Sequence, residues 1–412
     1  MNEVLIKAKL AKKASSKLAL LDSSTKNAFL IALSNALLDS KELILKTNEI
    51  DLLHNDHLSD SLKDRLRLNS SRLDSMAEAL VQLSQAEDPV NHVISETIRP
   101  NGLRIQKVSV PMGVIAMIYE ARPNVTIDAA ALAFKAGSAV ILRGGKEALN
   151  SNKAFVSILR STLLSCDLDP ELIQLIEDPD KELAKTLMTA NCLIDLLIPR
   201  GSARLIKTVL ETATVPVLET GIGNCHAYVE KSADQDMALK IIVNAKCSRP
   251  SVCNSLEKVL IDEAIAETFL PKLVSKLRQA NVFILGDEKS KDIDSTLGLA
   301  TEEDWATEYL DLKIAIKIVK DLDEALDHIQ KYSSKHSETI LTSDSILAQR
   351  FLDEVDAAAV YHNASTRFTD GGEFGFSAEI GISTQKMHAR GPVGLNELCS
   401  YKYKIFGEGQ IR

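Results

Sequence analysis

The chain has 412 residues, of which 45% are hydrophobic and 25% charged, and its formal charge is 48 minus 57, or −9. Single cores stop growing near about 250–300 residues, so two or three domains are expected, with the composition of a soluble globular protein. An acidic chain has no global attraction for nucleic acid or anionic membranes, so neither is an expected partner and anionic ligands need local basic groups.

The opening "MNEVLIKAKLAKKASSKLALL" reads as an amphipathic charged helix, without the apolar core or cleavage site of a signal peptide. No apolar run approaches the ~18 residues of a membrane span. The six cysteines (166, 192, 225, 247, 253 and 399) are scattered, which argues against a disulfide framework and for a cytoplasmic location with reduced thiols. Residues 1–85 carry apolar positions at three- and four-residue spacing and are expected to be helical. In "SETIRPNGLRIQKVSVPMG", two alternating runs flank Pro100-Asn101-Gly102, which predicts a β-hairpin.

From residue 113 short apolar runs alternate with helical patterns. "GVIAMIY", "AVILR", "LIQLI", "LIDLLIP" and "VPVLE" read as strands of a first parallel sheet. "AYVE", "KVLI", "VFIL", "KIAIKIV", "ETILT" and "AAAVYHN" read as strands of a second. The strands lack polar alternation, as expected of parallel sheets covered on both faces. The terminal "ELCSYKYKIF" reads as a strand able to pair with the 95–112 hairpin. The expected domains are residues 1–94 with 113–225, residues 226–385, and a small β element of 95–112 with 386–412.

No GxGxxG follows a strand and no GxxxxGK[ST] occurs, which argues against an ordinary dinucleotide turn and a P-loop. No histidine or cysteine grouping has metal-ligand spacing, so no metal site is expected. Three loops lie where ligands bind in α/β sheets: "YEARPNVT", "LRGGKEA" and "LETGIGN". Taken singly, each fits ordinary turn chemistry: Asn124 as a turn residue after Pro123, Glu219 as a solvated cap. Cys253, in "SRPSVCNSLEKVLI", taken alone is more simply a small core residue than a nucleophile.

The order of these pieces resembles the aldehyde dehydrogenase superfamily and, within it, the γ-glutamyl phosphate reductase family. The resemblance spans essentially the whole chain. It rests on "GVIAMIYEARPNVTIDAAALAFKAGSAVILRGGKEA", "LETGIGNCH", "SRPSVCNSLEKVL", "NASTRFTDGGEFGFSAEIGISTQKMHARGPVGL" and "YKYK". It implies an aldehyde dehydrogenase-like α/β fold of two parallel-sheet domains plus a small β oligomerisation element. It also implies NADPH-dependent reduction of L-glutamyl 5-phosphate to glutamate 5-semialdehyde and phosphate, the second step of proline synthesis from glutamate. Cys253 falls at the catalytic cysteine, which forms a thioester, and Asn124 at the oxyanion asparagine.

Glu219 matches the glutamate that activates water in hydrolytic relatives. Here water must be kept out, so its expected task is to orient nicotinamide or handle a proton. Lys146 stands where NAD-using relatives carry an acidic residue against the adenosine ribose. A lysine there attracts a 2′-phosphate and Arg143 adds to the field, which favours NADP(H). Gly144 and Gly145 let the backbone approach the cofactor, and Gly201 with Ser202 faces its pyrophosphate. Glu308 matches the position that holds the nicotinamide ribose, although the surrounding "FGP" is absent. Arg122, Arg249 and Arg367 are candidates for the substrate anions, and Asp370 or Glu373 for its ammonium. Lys246 and Arg249 are the nearby cations that could ionise Cys253. A homo-oligomer and functional association with a glutamate 5-kinase are expected. No kinase-sized segment precedes the matching region, so a fused kinase–reductase is not expected.

Two other classes remain open on the sequence. A cysteine acyltransferase or hydrolase without redox cofactor is opposed by the "RGGK" loop and the Asn-before-Cys order. A non-catalytic assembly protein is opposed by the retention of Cys253, Asn124 and Glu219.

Overall fold

The computed structural model describes residues 2–376 and 378–412. They form two compact units. The first holds residues 1–220, 375–381 and 393–412, and the second residues 221–374 and 382–392. The first crossing therefore lies at 220/221, five residues before the boundary expected from the sequence, and the hairpin and terminal strand cluster with the first unit.

The first unit opens with five helices: α1 (Glu3–Leu18), α2 (Ser23–Asp39), α3 (Lys41–His54), α4 (Asp60–Leu66) and α5 (Ser70–Gln85). Short polar side chains start most of them. Asn2, Asp22, Ser59 and Asn69 each accept from a backbone N–H of the first turn. Strands β1 (Val93–Ile98) and β2 (Arg104–Pro111) form the expected antiparallel hairpin. A four-stranded parallel sheet follows, built from β3 (Val114–Tyr119), β4 (Ala139–Gly144), β5 (Ile173–Leu175) and β6 (Leu196–Arg200) in the order β5-β4-β3-β6. Helices α6 (Asn124–Lys135), α7 (Leu149–Ser165), α8 (Lys181–Thr189) and α9 (Ala203–Thr212) connect and follow these strands. Every residue of β3 is buried, which is why "VIAMIY" carries no polar alternation.

One expected strand is absent. "VPVLE" makes only a single parallel bridge, Val217 to Leu197. Its two flanking bonds, Leu197 N to Pro216 O at 2.8 Å and Leu218 N to Leu197 O at 2.9 Å, are formed. Pro216 has no N–H to extend the ladder.

The second unit is a seven-stranded sheet. Its strands are β7 (Cys225–Val229), β8 (Leu256–Asp262), β9 (Phe283–Gly286), β10 (Gly298–Leu299), β11 (Lys313–Val319), β12 (Ser337–Leu341) and β13 (Ala359–His362). The order is β10-β9-β11-β8-β7-β12-β13 and every pairing is parallel. Connecting helices are α10 (Gln235–Cys247), α11 (Glu263–Gln279), α12 (Glu288–Ile293), α13 (Glu302–Ala306), α14 (Leu322–Tyr332) and α15 (Ser345–Glu354). Leu, Ile, Val and Ala dominate the core between β8, β11, α10 and α11, as the low aromatic content requires. The two-residue β10 and the short α12 and α13 have no counterpart in the sequence reading, being too brief to carry a period.

Strands β14 (Gly381–Ser383) and β15 (Gly391–Val393) are three residues each, and β16 (Cys399–Phe406) ends the chain. β16 runs antiparallel to β2 in continuous register, from Cys399 opposite Pro111 to Phe406 opposite Arg104. The small sheet β1-β2-β16 thus joins segments almost 300 residues apart. The fold is α/β, with two parallel sheets and a small antiparallel one. No helix among the described residues is long and apolar enough to cross a membrane.

Candidate active site

The predicted residues divide between the two units. In the first, Asn124 is the opening residue of α6, directly after β3, so the strand end delivers its side chain to the sheet's carboxyl edge. Its Nδ2 donates to Asp128 Oδ2 at 3.0 Å, one helical turn on. Burial pushes the Asp128 carboxyl up to about 6, against the opposing pull of Asn124 and Arg200. Arg122 sits in the same turn, next to Ala121, whose φ is +36°. Glu219 is partly buried at the unit's far end, and burial raises its carboxyl pKa.

The "LRGGKEA" loop differs in detail from the expectation. Lys146 is exposed at the start of a short 3₁₀ turn and forms no ion pair among the described residues. Arg143, by contrast, is half-buried and donates to the carbonyls of Pro179 and Asp180, both at 3.0 Å. Burial lowers its pKa, and Asp180 and Asp178 act in the opposite direction. Its guanidinium is therefore tied to its own chain. Gly144 is small for a packing reason: a Cβ there would lie 2.1 Å from Asn152 Nδ2. At Gly145 a Cβ would meet Glu147 Oε2 at 2.4 Å and the Ala121 backbone N at 3.3 Å.

Gly201 and Ser202 open α9, with Ser202 Oγ accepting from Leu205 N at 3.3 Å. This helix start already holds an anion. The Glu120 carboxylate accepts from Ser202 N at 2.7 Å and from Ser202 Oγ at 3.2 Å. A Cβ on Gly201 would come within 2.6 Å of Glu120 Oε2. The start of α9 is thus a place where an anion is held. Glu120 lies within "YEARPNVT", and nothing local in the sequence marks it. Its partner is 82 residues away.

In the second unit, Cys253 lies half-exposed in the tight loop between α10 and β8. A turn bond from Ser255 N to Val252 O, 3.0 Å, closes this loop. Asn254, unremarked in the sequence, is its main anchor. Its Nδ2 donates to Thr369 O at 2.9 Å and Arg367 O at 3.3 Å, and its carbonyl accepts from Thr366 Oγ1 at 2.8 Å. Its Oδ1 accepts from Arg367 Nη1, and Arg367 Nε donates to Ser248 Oγ at 3.2 Å. Burial and the nearby Arg249 guanidinium lower the Arg367 pKa, while Asp370, Cys253 and Glu373 act the other way. Arg367 thus feels the charges of both Arg249 and Cys253, and its guanidinium is tied to the side chain of the residue that follows Cys253.

Lys246 does not serve as expected. It is fully buried and pairs with the equally buried Glu257 at 3.2 Å. Burial outweighs the attraction on both sides, lowering the lysine pKa and pushing Glu257 up to about 7. Glu308 Oε1 accepts from Gly223 N at 2.7 Å, a bond within this unit that the sequence did not foreshadow. Among the described residues no group of three or more His, Cys, Asp or Glu could hold a metal ion.

The aldehyde dehydrogenase family profile matches residues 2–302. A protein of Caldanaerobacter subterraneus subsp. tengcongensis named gamma-glutamyl phosphate reductase is 57% identical over 412 residues, covering all of both chains. A protein of the same name from Clostridium botulinum is 55% identical over 415 residues, again covering both completely. The crystal structure of gamma-glutamyl phosphate reductase from Thermotoga maritima is 48% identical, covers both chains fully and superposes with a TM-score of 0.98.

Proposed function

Because the chain belongs to the gamma-glutamyl phosphate reductases, a branch of the aldehyde dehydrogenase family, we propose that it reduces L-glutamyl 5-phosphate to L-glutamate 5-semialdehyde and phosphate with NADPH, the second step of proline synthesis from glutamate. The enzyme is an oxidoreductase of a family that uses nicotinamide cofactors. Its soluble location is read as cytoplasmic, and the exposed tyrosines and isoleucine of β16 (Tyr401, Tyr403 and Ile405) as part of a homo-oligomer contact. Functional association with a glutamate 5-kinase follows from the lability of an acyl phosphate.

The Cys253 thiolate attacks the acyl carbon, the C–O bond to phosphate breaks, and the pair of electrons leaves with phosphate. The product is a thioester on Cys253, since sulfur is a good nucleophile when ionised and a good leaving group afterwards. When bound, NADPH would supply the hydride that reduces this thioester. Collapse of the resulting thiohemiacetal returns the thiolate and frees the aldehyde.

The resemblance gives Asn124 the task of donating an amide N–H to the developing oxyanion; such a donor is worth about 3–4 kcal/mol. Asp128 accepts one amide hydrogen of Asn124 and so fixes which way the amide faces. Arg249 and Arg367 meet substrate anions, with Arg122 as a third candidate. Lys146 meets the 2′-phosphate of the cofactor, and Gly201 with Ser202 its pyrophosphate. Glu219, whose pKa burial raises, is suited to handling a proton. The observation that carries the reading is the loop of Cys253. It holds a partly buried cysteine whose neighbour Asn254 binds the Arg367 guanidinium, in a chain 57% identical to a protein of this name.

The test runs the reaction backwards with glutamate semialdehyde, NADP⁺ and phosphate, following the absorbance of reduced nicotinamide. A phosphate-dependent signal is expected; its absence would sink the reading. A cysteine hydrolase without a redox cofactor would give none.

A further inference from the structure

We infer that Gly223, Glu308 and Cys225 clamp the peptide unit of Cys253 and act as positioning residues for the nucleophile, an inference that rests on Cys253 being the acyl carrier. The first jaw is backbone against backbone. A Cβ on Gly223 would lie 1.5 Å from the Cys253 carbonyl oxygen and 2.6 Å from its Cα. The backbone of Gly223 does not occupy the left-handed region, so the glycine is needed for this approach and not for a turn.

Glu308 holds that jaw shut. Its Oε1 accepts from Gly223 N at 2.7 Å. The acid itself sits on a segment that is pinned just before it. Thr307 O accepts from the buried Lys258 Nζ at 2.8 Å, and Trp305 O accepts from Asn224 Nδ2 at 2.8 Å. The resemblance assigns Glu308 to the cofactor's ribose; the structure gives one of its oxygens this other task.

The second jaw is the Cys225 thiol, which donates to the Cys253 carbonyl at 3.3 Å. Cys225 is fully buried, and burial keeps its thiol well above the usual range, so it remains a protonated donor. Behind it runs a buried polar chain. His336 Nδ1 is 3.9 Å from Cys225 Sγ and 2.8 Å from Ser337 Oγ. Ser337 Oγ is 2.6 Å from Thr369 Oγ1, which is 2.7 Å from Tyr361 OH. With its carbonyl held and its Cα packed against Gly223, the ψ angle of Cys253 is set, and with it the direction of the Cα–Cβ bond that carries Sγ.

A misplacement near 1 Å costs a reaction on the order of a hundredfold, so losing one jaw is expected to cost about tenfold or more. The reverse reaction is measured for Glu308→Ala, Glu308→Gln, Cys225→Ala and Cys225→Ser. Glu308→Ala lowers kcat by about tenfold or more with the KM for NADP⁺ within about twofold. Glu308→Gln, whose amide oxygen still accepts from Gly223, recovers most of kcat, and Cys225→Ser recovers more than Cys225→Ala. Alkylation of Cys253 by iodoacetamide, without added cofactor, reads the same geometry apart from hydride transfer and follows the same ranking. An acid that serves only the ribose raises the KM for NADP⁺ in both Glu308 variants alike and leaves alkylation untouched, which overturns the clamp. Unchanged kcat and alkylation in both alanine variants, with Cys253 still essential, overturns it as well. Alkylation of Cys253 that leaves turnover intact overturns the thioester reading itself, a separate and recognisable outcome.

Discussion

Replacing Glu120 by alanine is expected to tighten NADPH binding about fivefold. The Glu120 carboxylate occupies the start of α9, accepting from Ser202 N at 2.7 Å and Ser202 Oγ at 3.2 Å. Any phosphate bound at this helix start must displace it, so the energy of the carboxylate contact subtracts from the energy of binding. An exposed anion in the first turn of a helix is stabilised by about 0.3–1 kcal/mol. The short charge-assisted bond puts Glu120 near the upper end of that range. Each 1.4 kcal/mol is tenfold in affinity, so about 1 kcal/mol is about fivefold. The helix keeps its own cap, because Ser202 Oγ still accepts from Leu205 N. Calorimetric titration of NADPH into both proteins measures the difference. The gain should shrink in high salt, where the screening length falls to about 3 Å at 1 M. An equal or weaker affinity in the alanine variant at low salt refutes the idea that Glu120 stands at the anion position.

Lys146→Glu should move cofactor preference from NADP towards NAD; an unchanged ratio of specificity constants removes Lys146 from 2′-phosphate recognition. Asn254→Ala deprives the Arg367 guanidinium of its Oδ1 acceptor and two carbonyls of their donor. The KM for phosphate in the reverse direction should rise about tenfold, with a loss of about 1–3 kcal/mol of stability from the unsatisfied groups; an unchanged KM separates Asn254 from the anion locus. Glu338 is fully buried, and burial pushes its carboxyl up to about 8, against the hydrogen bonds from Ser333 and His226. A folded-state pKa above the unfolded one means that the unfolded chain loses its proton first. Stability therefore falls as pH rises from about 4.5 to about 8 and then levels off. Glu338→Gln lacks this slope, so its melting temperature should gain on the parent's across that window. A constant difference between the two melting curves contradicts the buried, protonated carboxyl.

Much of the architecture was legible in the sequence because parallel strands buried on both faces announce themselves as unbroken apolar runs. β3, "VIAMIY", is the clearest case. β8, "LEKVLID", was legible as a strand, yet nothing local revealed that Glu257 and Lys258 are both buried. Their partners, Lys246 and the Thr307 carbonyl, lie on other elements. "VPVLE" failed because hydrophobicity does not report the missing donor of Pro216. The catalytic candidates were legible only through their order along the chain. What holds them was not. Glu120 reaches Ser202 across 82 residues, Gly223 reaches Glu308 across 85, and Asn254 reaches Thr369 across 115. Gly144 shows the limit from the other side: read as room for a cofactor, it is room for Asn152.

The central claim is that Cys253 carries the acyl group, and trapping that group tests it most directly. Glutamate semialdehyde and NADP⁺ are mixed without phosphate, and the protein is digested and weighed by mass spectrometry. The thioester has no phosphate to take it, so the peptide containing Cys253 should gain one glutamyl group and lose it when phosphate is added. An adduct on another residue, or an unmodified Cys253 peptide while nicotinamide is reduced, would contradict the account.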